Sequence, residues 1–154
     1  MRATLAALTL LASVPNCTDL YSLATHGLSN PVITTQPSGA TAVAAPGGAR
    51  VTIPLLVQNP NDFPISVESV DYTVTVNGGQ GFSGTQEATT VDESSTETVE
   101  VSGLVPSATF RGLRGGQTVT FTVTGVAHAD SPAGINIDVA FTAGDSFVVP
   151  SGLP

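Results

Sequence analysis

From residue 51 onward the chain alternates apolar and polar side chains with a period of two, the repeat of a strand that buries one face. Val51, Ile53, Leu55 and Val57 take one side, and Thr52, Pro54, Leu56 and Gln58 the other. Pro54 has no N–H for a ladder, which predicts an edge or a bulge at that point. Val70, Tyr72, Val74 and Val76 then alternate with Asp71, Thr73 and Thr75, and Asn77-Gly78-Gly79 follows as a hairpin signal. Residues 98–101 resume the alternation after an acidic stretch, 92–97, that reads as a solvated loop. Over 117–127, Val119, Phe121 and Val123 face inward against Thr118, Thr120, Thr122 and Thr124. Ile135, Ile137, Val139 and Phe141 repeat the pattern, and Phe147 with Val149 predicts a short last strand.

Upstream, residues 31–35 start a first strand, and Pro37-Ser38-Gly39 and Pro46-Gly47-Gly48 are turn signals on either side of the apolar 40–45. Only residues 107–114 suit a helix, and Gly112 limits it to a turn or two. Strands about ten residues apart, each with one wet face, predict an all-β fold. The expected architecture is an antiparallel β-sandwich, immunoglobulin/fibronectin III-like, of seven or eight strands with at most one short helix.

Composition agrees and narrows the function. The 154 residues carry 16 Gly and 11 Pro, and 12 acidic residues against four arginines and no lysine, for a net charge of −8. An acidic chain without lysine lacks the footprint that holds a phosphate backbone, so nucleic acid and anionic membrane surfaces are disfavoured as partners. Met1-Arg2 followed by the uncharged residues 3–14 has the form of an export signal and is short for a bilayer span. Two cleavage sites compete, one before Cys17 and one after Ala24. Cys17 is the only cysteine, which excludes an internal disulfide and favours lipid attachment to it. The expected organisation is therefore a signal peptide at 1–16, a polar tether at 17–30, a β-sandwich domain at 31–150 and a tail at 151–154.

Asn59-Pro60-Asn61-Asp62-Phe63-Pro64-Ile65 closes one alternating strand and precedes Val67, Val70, Tyr72 and the Asn77-Gly78 turn. This pattern resembles the LEA14-like family, the type 2 late embryogenesis abundant domain, also called the WHy domain. Phe121-Thr122-Val123-Thr124-Gly125-Val126 and the closing residues 141–150 resemble later strands of that family, so the likeness covers 31–150. Physically, Pro60 and Pro64 keep Asn59 and Phe63 extended. The amides of Asn59 and Asn61 can then bond backbone groups left open, while Phe63 and Ile65 plug the core. A ligand site at the two amides is the alternative reading.

Catalytic and metal signatures are sparse. His26 and His128 lie far apart with no cysteine beside them, which gives zinc little support. His128, placed in a turn after Gly125, with Asp130 reads as a solvated pair rather than an acid–base pair. Gly81-Phe82-Ser83-Gly84 lacks the spacing of a nucleophile elbow, and Asp92, Glu93, Glu97 and Glu100 lack that of a calcium loop. No catalytic residue, metal or cofactor is expected. The resemblance implies a non-enzymatic stress- or desiccation-response module, and the leader implies a bacterial cell-envelope address with an envelope protein or client as partner. The alternative is a structural or adhesive module pairing through a sheet edge.

Overall fold

The computed structural model describes residues 27–153. The export signal, Cys17, most of the tether and His26 lie outside the described residues. Among the described residues there are eight strands: β1 (Val32–Thr35), β2 (Thr41–Ala45), β3 (Gly48–Gln58), β4 (Ile65–Val76), β5 (Gly79–Val91), β6 (Thr96–Pro106), β7 (Thr118–Asp130) and β8 (Asn136–Val148). A single 3-10 turn, Ser107–Phe110, links β6 to β7 where the short helix was expected.

Two antiparallel sheets result. In one, β3 lies between β6 and an edge shared by β1 and β2; in the other, the order is β5-β4-β7-β8. β1 pairs with the end of β3 and β2 with its start, so the two form one edge strand interrupted at residues 36–40. Pro54 faces that interruption. Its carbonyl accepts from the Gln36 amide at 3.0 Å, so its missing N–H points at the gap rather than at β6. β3 is thus an interior strand in which proline costs no ladder bond, because the bulge expected from Pro54 lies in its neighbour.

The inner faces of both sheets are built from the predicted alternation, except that Ile135 precedes β8 and is exposed. Val51, Ile53, Leu55 and Val57 from β3 are wholly buried, and they meet Val70, Tyr72, Val74 and Val76 from β4 and Val119, Phe121 and Val123 from β7. Val67 and Val70 both point inward although three residues apart. A bulge at Glu68 in the β4–β7 pairing resets the phase between them. On the same inner face the register sets Gly84, Tyr72, Gly125 and Phe141 side by side across all four strands. A Cβ on Gly84 would stand 2.8 Å from the Tyr72 hydroxyl, and one on Gly125 would overlap the Asp71 carbonyl and press on the Phe141 ring. The two glycines make room for the two rings.

Four expectations are corrected. β5 was not expected: it is an edge strand whose residues show no apolar alternation, and its pairing with β4 makes it. Residues 41–45 form a strand rather than only an apolar stretch between turns. The acidic loop ends at Ser95, because β6 begins at Thr96. Residues 136–148 form one strand, not two, since Gly144 stays extended opposite Thr122. Asn77 (φ 52°) and Gly78 (φ 70°) make the tight β4–β5 turn, as expected.

The strand directions gather loops at two ends. Residues 27–31, 59–64, 92–95 and 131–135 share one end; residues 46–47, 77–78, 107–117 and 149–153 share the other.

Candidate functional site

Asn59 organises the first end. It is wholly buried, and its Nδ2 donates to the carbonyls of Phe63 (2.8 Å), Val91 (3.1 Å) and Asp92 (3.0 Å). Its Oδ1 accepts from the backbone N–H of Asn61 (3.0 Å) and from Asn61 Nδ2 (2.9 Å). Asn61 in turn donates Nδ2 to the Ser29 carbonyl at 2.9 Å and accepts the Ser29 N–H on Oδ1 at 2.8 Å. One amide therefore ties β3 to the β5–β6 turn, and the other ties the incoming chain to both. Pro60 is exposed and Pro64 half-buried between them, while Phe63 and Ile65 are fully inside. The polar capacity of both amides is spent on the protein itself.

The outer face of the four-stranded sheet is the broad polar surface. Ser83, Thr73, Thr124 and Thr142 lie in one row across β5, β4, β7 and β8, and Thr75 with Thr122 and Thr120 with Ser146 extend the pattern towards the second end. Neighbouring strands of such a sheet lie about 4.8 Å apart, and successive outward positions along one strand about 6.7 Å. An open depression of about 590 Å³ beside this row is lined by Asp71, Thr73, Ser83, Thr85 and Thr124, with Gly84 and Gly125 as its floor.

Charge begins on the next rows. The His128 ring lies between two carboxylates, Nδ1 2.7 Å from Asp138 Oδ1 and Nε2 3.3 Å from Asp71 Oδ2. The Thr85 hydroxyl donates to Asp71 at 2.5 Å. A protonated ring can donate on both sides, and the two hydrogen bonds, that to Asp138 foremost, raise the His128 pKa. Asp71 is held below its ordinary value by the Thr85 hydroxyl and then by His128. Glu68, on the bulge, is raised by the hydrogen bond and charge of Asp130. His128 is thus in a strand and not in a turn, and it pairs with Asp138 and Asp71 rather than with Asp130. Register decided this, since His128 lies directly opposite Asp138 in β8. The cluster is exposed, and no nucleophile stands with it in an enclosed pocket; chemically it is a charge-paired surface anchor.

The remaining candidates fall apart in space. Gly81, Phe82, Ser83 and Gly84 are an extended run of β5, with Phe82 edge-on to Tyr72 at a 6.1 Å ring separation. Asp92 and Glu93 sit in a turn, and Glu97 and Glu100 on β6. Among the described residues no three His, Cys, Asp or Glu side chains converge as a metal site, and no helix is long and apolar enough to cross a membrane. Asp71, Thr85 and Asp138 were missed as partners of His128. Asp71 and Asp138 carry one sequence signal, an outward position on an alternating strand, and Thr85, on β5, carries none.

Fold and surface together define an all-β sandwich whose longest motif is a structural hub and whose widest face is hydroxyl-lined. The late embryogenesis abundant protein family model matches residues 54–143, and the chain belongs to that family. The solution structure of At2g46140.1, assigned as a late embryogenesis abundant (LEA) protein, aligns over 91% of this chain and 83% of its own, at 15% identity and TM-score 0.61. The solution structure of AT1g01470 from Arabidopsis thaliana aligns over 76% and 82%, at 11% identity and TM-score 0.59. At these identities the likeness is one of fold. No curated protein sequence matches the chain significantly.

Proposed function

We propose that the chain is a non-enzymatic stress- or desiccation-response protein of the bacterial cell envelope, held at the membrane by a lipid on Cys17. The observation that carries the reading is the family match over residues 54–143. The outer face of β4, β5, β7 and β8 supports it, because rows of exposed hydroxyls hold an ordered first layer of water and offer hydrogen bonds to a client surface as bulk water leaves. A net charge of −8 opposes indiscriminate side-by-side association as the chain concentrates. Pairing through a sheet edge has less support. The β1–β2 edge is short and broken, and the β8 edge is covered near Gly144 and Asp145, which bond Thr35 Oγ1 (3.1 Å) and the Ser38 N–H (2.7 Å).

Two experiments test the parts separately. The protein should preserve a labile enzyme through drying better than an equally acidic, unrelated sandwich; equal recovery refutes the protective role. The intact mass of protein extracted from membranes should show a diacylglycerol-modified Cys17 at the N-terminus. An N-terminus at Thr25 refutes the anchor.

A further inference from the structure

The arginines and the exposed large aliphatics of the described residues lie towards the ends of the sandwich, and the densest group of acids lies at the end opposite the arginines. Arg50, Arg111 and Arg114, the arginines of the described residues, are exposed and lie at the end formed by residues 46–47, 77–78, 107–117 and 149–153. None of their side chains has an ion-pair or hydrogen-bond partner among the described residues. The one acid that borders this end among the described residues is Asp145, in a row with Phe121 and Val76 and holding the Ser38 N–H; no Asp or Glu occurs within 46–51, 76–82, 103–118 or 148–153. At the opposite end Asp62, Asp92, Glu93 and Glu97 are exposed, with Glu68 and Asp130 behind them and no arginine among 27–31, 59–64 or 92–97.

The exposed large aliphatics follow the same division. Val43 (66% exposed) and Leu104 (42%) flank Arg50 directly across β2, β3 and β6, and Val148 is exposed near the same end of β8. Val32 and Ile135, each about half exposed, lie at the acidic end. One end is therefore aliphatic and carries the exposed arginines, with Asp145 at its border, and the other is aliphatic and acidic. Elsewhere the surface is hydroxyl-bearing or acidic, so lateral approach of two copies is repulsive while end-to-end approach is not.

We propose that the two ends are the halves of one contact: the arginine end of one copy docks on the acidic end of a second copy. The contact joins different surfaces and leaves each copy with one free end, so it builds rows rather than closed dimers. It is weak and salt-sensitive, since exposed ion pairs act within a Debye length of about 8 Å at physiological ionic strength.

Sedimentation velocity of the full chain in non-ionic detergent, over a range of concentrations at low and high salt, tests this. The wild type should associate with increasing concentration, at least tenfold more weakly at high salt. Arg50→Glu/Arg111→Glu/Arg114→Glu and Asp92→Lys/Glu93→Lys/Glu97→Lys should each lose at least tenfold in association with unchanged thermal melts, and an equimolar mixture of the two should associate again. The acidic-end variant is decisive: its net charge moves towards zero, which favours unspecific association, whereas end-to-end docking requires a loss. A wild type monomeric at every concentration, or an acidic-end variant that associates more strongly, overturns the proposal. So does binding to phosphatidylglycerol vesicles that the arginine variant loses while the wild type remains monomeric, which assigns the arginine end to anionic lipid.

Discussion

Replacing Asn59 by alanine separates a structural hub from a binding site. The substitution removes donors to the carbonyls of Phe63, Val91 and Asp92 and the acceptor of the Asn61 N–H. The Asp92 carbonyl keeps two partners, the Ser95 hydroxyl at 3.0 Å and the Ser95 N–H at 3.3 Å. The Val91 carbonyl stays in the β4–β5 ladder opposite Ile65, so two backbone groups, the Phe63 carbonyl and the Asn61 N–H, are left open in a region from which Asn59 itself excludes water. A buried polar group without a partner costs about 1–3 kcal/mol. Two such groups near the middle of that range give a loss of about 3–4 kcal/mol, a large share of the roughly 5–15 kcal/mol that holds such a domain. At about 2–4 °C per kcal/mol this lowers the melting temperature by roughly 10 °C. Urea unfolding of the full chain, followed by far-ultraviolet circular dichroism, measures it directly. Asn59→Asp should be worse at neutral pH, since a carboxylate would face three carbonyl oxygens, and should recover part of its stability as acid protonates it. A loss below about 1 kcal/mol in Asn59→Ala refutes the hub and revives the amides as a ligand site.

Other outcomes follow from the same geometry. The raised His128 pKa means that the folded chain holds the proton more tightly, so its stabilisation is complete below the ordinary histidine value of about 6.5 and disappears as pH rises through the raised value. Melting temperatures of wild type and His128→Gln should therefore differ most in mild acid and converge in base, and an NMR titration of Asp138→Asn should move the ring's pKa down; a constant difference across pH refutes the ion-pair account. Asp71, with its lowered pKa, contributes stability above the ordinary aspartate range that is lost as pH falls through the lowered value. Gly125→Ala forces a Cβ onto the Asp71 carbonyl and should destabilise by about 3 kcal/mol or more, seen as a lower urea midpoint. Gly103→Ala meets the Phe82 ring instead; because that ring is only half-buried, Phe82→Ala should rescue much of the loss, whereas no rescue would show that the backbone is the obstacle.

The legible strands were those with one face fully buried. β3, β4 and β7 carry their alternation in Val, Ile, Leu and Phe, and the inward set matches the buried set position by position. β5 has only Val91 wholly inside, so nothing local marks it as a strand; its existence depends on β4 offering a paired edge. Gly144-Asp145 looks like a turn in sequence, yet it is held straight by Thr122 and Phe121 more than twenty residues away. The same limit applied to the surface. The prolines around Asn59 foretold carbonyls needing donors, but Val91 and Asp92, 32 and 33 residues distant, could be named only from the fold. His128 was matched to the acid nearest in sequence, while the pleat turned it towards Asp138 and Asp71. The sorting of arginines and acids to opposite ends was equally invisible, because net charge carries no position.

In the proposed function the hydroxyl-lined outer face protects, and the sandwich serves to hold it. Drying a labile enzyme with wild type and with Thr73→Val/Thr124→Val/Thr142→Val tests it most directly, since these exposed side chains keep their shape and β propensity while losing three hydroxyls of one row. The variant should melt at the same temperature as wild type and show a marked loss of recovered enzyme activity. Undiminished protection by a variant that folds as well as wild type would contradict it.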